Sequence, residues 1–330
     1  MNKFEYALPK KLQDVFAFSK NPNSLLKAGG IDLLDLMKEG ITSPQRLINI
    51  IELEELKFLK SDSDGNLHIG PSMTLAELAE NETVQKKYRA LAQAAESAAT
   101  PQIRHVATLG GNLCQRPRCW YFRNHDFDCA RKGGAECFAI EGENQYHAIF
   151  MNQDGCVIVH PSSAAVALMA LNARLKIVTE TTEREISIED FFVTPEKDIT
   201  RENVLKENEI ITDIILPPVK NDFTSYYFKQ KEKQTFDWPI AETAVAMTTR
   251  GTKCTSARIV LGAAAPVPWR VKAGENVLKN QVITVDLAKK AAREVLQAAI
   301  PLSGNAYKIS VFKAVIYRTI CWAGGVNPFA

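Results

Sequence analysis

The sequence has no apolar run of about 18 residues, so it offers no helix to span a bilayer. It has no charge excess either. Forty basic against 38 acidic residues leave a formal +2, which gives no reason to expect nucleic acid or another polyanion as partner. The N-terminus, MNKFEYALPKKLQDVF, lacks an apolar core segment and a small-residue cleavage site. A secretory signal is therefore not expected, and the chain reads as cytoplasmic, with a periplasmic place only if a partner subunit carries it there. Repeats and low-complexity tracts are absent. So are the Rossmann G-x-G-x-x-G, the P-loop, H-E-x-x-H, a Ser–His–Asp order and a paired set of acids. No bond-breaking centre is expected, and no residue is assigned a catalytic role.

Cys-x-x-Cys pairs are missing too, which counts against the common zinc ribbons and fingers. Yet there are seven cysteines, an odd number in a chain with no export signal, so a disulfide framework is not expected. Cys254 and Cys321 sit in apolar or strand-like contexts and read as buried core thiols. The other five, Cys114, Cys119, Cys129, Cys137 and Cys156, fall within 43 residues. Irregular loop spacing of this kind suits an iron–sulfur cubane, because its four irons are separated in space and each takes one thiolate. Arg116, Arg118, Arg123 and Arg131 lie in the same stretch and are expected to offset the negative charge of such a site.

With 330 residues the chain exceeds one ordinary core and suggests two or three domains. NSLLKAGGIDLLDLMKEG reads as strand, glycine turn and helix, with a second strand at 46–51. ELKFLKSDSDGNLHIGP reads as a hairpin turning at Asp-Gly. Helices are expected over about 75–98, with Thr74 as cap. Periodicity then fails from 101 to 160, where Cys, Gly, Arg and aromatics dominate, and the aromatics favour an ordered loop organised by a bound group. A helix and strand follow in SSAAVALMALNARLKIV, then ITDIILPP ends a strand at two prolines near a boundary at 217–222. Beyond it, three strands (TSYYFKQKEK, AETAVAMTTR, SARIVLGAAAPVPWR) precede helices at about 286–299 and 309–322, the order of an α+β layer.

KAGGIDLL puts two glycines between a strand and a helix, where main-chain N–H groups and the helix N-terminus can face a pyrophosphate. ATLGGN, residues 107–112, reads as a second glycine turn, and the two loops could grip one diphosphate from two sides. The histidines are scattered; His125 and His147 are candidates for the outer shell of a thiolate site, although a plain structural role fits each. Lys229 in YYFKQKEKQTFDWP could face an anionic cofactor or be an ordinary solvated strand lysine.

KAGGIDLL, TPQIRHVATLGGN and YYFKQKEKQTFDWP, in that order and at these intervals, resemble the FAD-binding medium subunit of the xanthine dehydrogenase and molybdenum hydroxylase family. The resemblance covers essentially the whole chain. About 40 residues intervene between Asn112 and His160, and RCWYFRNHDFDCARKGGAEC with DGCVIVHPSS resembles the subset that carries an additional 4Fe-4S cluster. That subset includes flavin subunits of a bacterial aldehyde oxidoreductase and of 4-hydroxybenzoyl-CoA reductase. The resemblance implies an α+β fold: a two-subdomain, vanillyl-alcohol-oxidase-like FAD domain over 1–217 (subdomains about 1–58 and 59–217) with an iron–sulfur insertion over about 113–159, then a C-terminal antiparallel sheet-plus-helices domain over 222–330. It implies that Lys27, Ala28, Gly29, Gly30, Ile31, Asp32 and Leu33 wrap the FAD pyrophosphate. Thr100, Thr108, Gly110, Gly111 and Asn112 would complete the cradle, Ile211 would approach the flavin or adenine, and Lys229 would lie near the isoalloxazine. Cluster ligands would be Cys119, Cys129, Cys137 and Cys156, leaving Cys114 with the flavin loop. One departure stands out: the family's usual aspartate in P-x-S-D is Ser163 here.

The function so implied is electron transfer in a heterotrimer. A large subunit holds molybdopterin and oxidises substrate, a small subunit holds two 2Fe-2S clusters, and FAD meets an external acceptor or donor such as ferredoxin, NAD or oxygen. A stand-alone flavin oxidoreductase with a structural zinc loop is the alternative, and a flavin-free zinc scaffold a third.

Overall fold

Short apolar segments divided by turn residues make three separate sheets, described by a computed structural model over residues 1–233 and 235–330. The first contains β1 (Glu5–Ala7), β2 (Ser24–Lys27) and β3 (Arg46–Asn49), all parallel with β3 central. Parallel pairing needs crossovers, supplied by α1 (Leu12–Ser19) and α2 (Ile31–Lys38). Val15 and Phe16 of α1 bury against Ile48 and Ile50 to form a small core of their own.

The second sheet is antiparallel: β4 (Leu59–Ser61), β5 (Leu67–Ile69), β6 (Arg174–Val178), β7 (Glu183–Ser187) and β8 (Ile210–Leu216), in the order β4-β5-β8-β6-β7. The Asp-Gly hairpin forms as expected, with Gly65 at φ 82° and Asp62 Oδ1 accepting from Asn66 N at 2.8 Å. Helices α3 (Leu75–Glu80), α4 (Glu82–Lys87) and α5 (Arg89–Glu96) follow. Thr74 caps α3 reciprocally with Glu77: its Oγ1 accepts from Glu77 N at 3.1 Å, and Glu77 Oε2 accepts from Thr74 N at 2.8 Å.

Between 101 and 160 the chain is an ordered loop with three single-turn helices, α6 (Pro101–Arg104), α7 (Leu109–Leu113) and α8 (Trp120–Arg123). The expected Gly-Gly-Asn turn is corrected here: it is the body of α7, capped by Thr108, whose Oγ1 accepts from Gly111 N at 3.2 Å. Glycine disfavours helices, but packing decides at this position. A Cβ on Gly110 would stand 2.8 Å from Pro71 Cβ, so only glycine lets α7 lie against that segment.

After α9 (Ser163–Ala170), buried on every side, the third sheet contains β9 (Phe223–Gln230), β10 (Ala241–Arg250), β11 (Lys253–Gly262), β12 (Trp269–Arg270) and β13 (Gln281–Val282). Its order is β12-β11-β10-β9, with β13 also on β11. Helices α10 (Lys272–Leu278), α11 (Val285–Leu296) and α12 (Tyr307–Ala323) cover one face. The other face takes α5 and α9 through Ala244, Ala246 and Val260. With both faces covered, β10 is buried from Ala241 to Met247 and shows no polar alternation. Phe312, Val315, Ile316 and Ile320 of α12 are buried in this layer, each contributing about 1.5–3 kcal/mol of hydrophobic transfer. Cys254 and Cys321 are fully buried in the same core, as expected of structural thiols. Among the described residues no helix is long and apolar enough to cross a membrane.

Candidate functional site

The turn from β2 into α2 sets one wall of a cavity of about 690 Å³, a size suited to a cofactor. Gly30 turns the chain at φ 79°, left-handed backbone that glycine adopts freely. Gly29 must also lack a side chain, since a Cβ there would stand 2.1 Å from the Val106 carbonyl oxygen. The helix that begins at Ile31 has no side-chain cap, so its first-turn N–H groups and the positive end of its dipole open on the cavity. Such an N-terminus accommodates a diphosphate.

Lys27, Ala28, Gly29, Gly30, Ile31, Asp32 and Leu33 all line this cavity, together with Thr100, Thr108, Gly111, Asn112 and Lys229. Two expected residues do not. Gly110 packs on Pro71, and Ile211 is buried in β8 opposite Ile177, within the core. The expected second main-chain grip is also corrected. The N–H groups of Leu109, Gly110, Gly111 and Asn112 donate within the fold, to Met73 O, Pro71 O, Thr108 Oγ1 and Thr108 O. Residues 108–112 thus meet the cavity by close approach and side chains rather than by free amides. Cys114 lines the same cavity, and burial pushes its thiol up to about 12, so it stays protonated.

The opposite wall comes from α9 and the third sheet. Ser163 and Lys229 line it, with Phe236, Asp237 and Trp238 from the segment after β9; Gln234 of that motif lies outside the described residues. Lys229 Nζ donates to Ser97 O at 3.2 Å, and burial lowers its pKa. Behind Ser163 stands a group that sequence reading missed, the fully buried Glu242 of β10. Its Oε2 accepts from Ser163 Oγ at 2.8 Å and from the Tyr227 hydroxyl. Nothing in AETAVAMTTR distinguishes Glu242 from a solvated strand acid; only the doubly covered sheet does.

Beside this wall a second cavity of about 320 Å³ opens among Trp120, Tyr146, His147, His160 and Trp238, and shares Arg118 and Pro161 with the first. Cys119, Cys129, Cys137 and Cys156 meet around a small void past it, with Arg131 and His147 on its border. All four are free thiols. His147 Nε2 lies 3.3 Å from Cys119 Sγ, and burial holds its imidazole down at about 4, hence neutral. His125 instead lies exposed beside Asp126. A hydrogen bond from Cys137 and the Arg131 guanidinium lower the pKa of the Cys156 thiol, while that of its partner Cys137 is raised. Arg131 Nε stands 3.4 Å from Cys156 Sγ. Among the described residues no group of three or more His, Cys, Asp or Glu side chains is arranged to hold a metal ion. Of these donor types, only the four cysteines and His147 border the void, which is about 10 Å³ in volume.

The expected role of the four arginines needs correction. Only Arg131 reaches a cysteine. Arg116 Nε donates to Glu202 Oε2 at 2.9 Å, and Arg131 Nη1 to Glu202 Oε1 at 2.7 Å. Arg118 and Arg123 pair with Asp32 Oδ1 at 2.8 and 2.6 Å, and Arg116 N donates to Asp32 Oδ2 at 2.8 Å. Carboxylates from α2 and from Glu202 neutralise these guanidiniums, so the charges tie the cysteine-bearing segment to the first turn of α2.

Residues 2–219 match the family model of the FAD binding domain in molybdopterin dehydrogenase, and residues 226–323 that of the CO dehydrogenase flavoprotein C-terminal domain. The chain is 32% identical over 304 residues to the aldehyde oxidoreductase FAD-binding subunit PaoB of Escherichia coli (strain K12), covering 92% of each. It is 25% identical to the carbon monoxide dehydrogenase medium chain of Hydrogenophaga pseudoflava, covering 97% of this chain and 98% of the other. In fold it is similar to quinoline 2-oxidoreductase from Pseudomonas putida 86, at a TM-score of 0.76 and 21% identity over 98% of both chains. The chain therefore belongs to the family of FAD-binding medium subunits of the xanthine dehydrogenase and carbon monoxide dehydrogenase type, and is an oxidoreductase subunit.

Proposed function

We propose that this chain holds FAD in the 690 Å³ cavity and a 4Fe-4S cluster on Cys119, Cys129, Cys137 and Cys156. It would carry electrons between the 2Fe-2S clusters of a small subunit and an external acceptor or donor (ferredoxin, NAD or oxygen). A molybdopterin-containing large subunit would complete a molybdenum hydroxylase of the aldehyde oxidoreductase or xanthine dehydrogenase type. The uncapped N-terminus of α2, opening on a cavity of cofactor size, is the observation that carries the reading. Bound there, FAD would supply exchange between one-electron and two-electron chemistry. The chain's own part is to place it: α2 amides at the diphosphate, Lys229 and Ser163 at the far wall, and Arg118 stacked 4.9 Å over Trp238 between the two cavities. Support for the cluster comes from four free thiols around one void, with Arg131 and His147 within reach of two sulfurs. In this reading the FAD-binding domain covers 1–217, with the iron–sulfur insertion at 113–159, and the second domain 222–330.

One spectrum with metal analysis tests it. Purified protein should show flavin bands together with broad iron–thiolate absorption, and about four irons per chain. Flavin with zinc and substrate turnover by the isolated chain would favour a stand-alone flavin oxidoreductase. A colourless zinc protein would overturn both.

A further inference from the structure

Ser163 lines the cavity, yet its only hydroxyl proton points away from it. Oγ donates to Glu242 Oε2 at 2.8 Å, and the Tyr227 hydroxyl donates to the same oxygen. A hydroxyl has one proton and two lone pairs, so a serine held this way presents lone pairs to whatever fills the cavity. The arrangement is built rather than incidental. Glu242 is wholly buried, and its other oxygen, Oε1, has no partner, a costly placement for a carboxyl group. Gly262, directly across the ladder from Glu242, makes the room: a Cβ there would stand 2.3 Å from Oε1. Ser163 is fixed from its own side as the first residue of α9, next to Ser162, whose Oγ accepts from Ala165 N at 3.0 Å. With Glu242 ionised, Oε2 is the acceptor for both the Ser163 and the Tyr227 hydroxyls.

We propose that Glu242 is a positioning residue that turns Ser163 into an obligate hydrogen-bond acceptor, and that Ser163 so held selects the imide N–H of the bound flavin ring. This rests on the FAD reading above. The ring is assigned to this wall because a redox group needs an approach for its reaction partner. Here the second cavity adjoins the first, sharing Arg118, Pro161, Asp237 and Trp238. The wall around β2 and α2, with the apolar Leu25, Leu26 and Leu36, suits adenine.

The test compares binding of FAD and of FAD methylated at the imide nitrogen to the deflavinated protein, read by flavin fluorescence. Wild type should prefer FAD by about tenfold or more, the scale of one net hydrogen bond. Ser163→Ala should erase the preference by weakening FAD, with the methylated analogue unchanged. Glu242→Leu, which frees the Ser163 hydroxyl to rotate, should erase most of it while the serine remains. Equal binding of both flavins to wild type overturns the proposal and needs no variant to fold. It is also overturned if Ser163→Ala acts by strengthening the analogue, a purely steric effect, or if Glu242→Leu leaves the preference intact. Absence of FAD binding altogether would fail the broader reading instead, so the two failures are distinguishable.

Discussion

Replacing Lys308 by methionine probes what holds the cysteine-bearing segment onto the C-terminal layer. Lys308 is fully buried in the first turn of α12, and its Nζ donates to the carbonyls of Tyr146 at 3.2 Å, His147 at 2.8 Å and Ala263 at 2.7 Å. Methionine keeps the stem and removes the donors. The His147 carbonyl retains Asn305 Nδ2 at 3.1 Å, so the buried Ala263 carbonyl and the half-buried Tyr146 carbonyl lose the ammonium without a replacement. At about 1–3 kcal/mol for each stranded group, offset by no longer burying a cation, the net loss should be about 2–4 kcal/mol. Thermal unfolding should show a midpoint lower by roughly 4 °C or more. The pH dependence gives a second reading. Burial lowers Lys308 to about 7, whereas in the unfolded chain it keeps its proton up to the ordinary lysine value of 10.5. Between those limits the unfolded state binds more protons, so wild-type stability should rise with pH, and Lys308→Met should lose that rise. The carbonyl lone pairs favour the ammonium, which places the rise in the upper part of the window. A variant melting within a degree of wild type, with the same pH profile, would refute the idea that this cation fastens the segment.

Cys137→Ser should lower the iron content while FAD content stays near wild type, by metal analysis and flavin absorbance. If the proposed cluster is the port through which a one-electron partner such as ferredoxin exchanges electrons, the same variant should lose ferredoxin-linked turnover, and retained turnover would sink that port reading. Gly29→Ala drives a Cβ to 2.1 Å from a main-chain oxygen, an overlap worth about 1–3 kcal/mol or more. It should give protein with most of its FAD missing, and an unchanged ratio of flavin to protein absorbance would contradict the close-approach argument.

Local signals were the readable ones. KAGGIDLL turns from strand to helix with a left-handed Gly30, and Thr74 with Glu77 caps a helix, because each pattern is satisfied by neighbours in sequence. What failed depended on distant partners. The Gly-Gly-Asn segment is helical because Pro71, far upstream, sits where a side chain would be. The arginines looked like counter-charges for thiolates because Asp32 and Glu202, their partners, lie more than 80 and 70 residues away. Glu242 was invisible for the same reason, as its contact Ser163 lies 79 residues before it. Ile211, implied by family resemblance rather than by any property of its own, is a core residue.

Asp32 does two things at once: its main chain belongs to the first turn of α2, and its carboxylate grips Arg118, Arg123 and the amide of Arg116. With Glu202 as the second anchor, ion pairs moor the first part of the cysteine-bearing segment, while its later part is held by Ile149 and Phe150 in the C-terminal core and by Lys308 at the Tyr146 and His147 carbonyls. The tie through Asp32 orders assembly: filling the cofactor cavity would stiffen the turn to which the segment is bound, so in the proposed reading the flavin should seat before a cluster on the four cysteines closes.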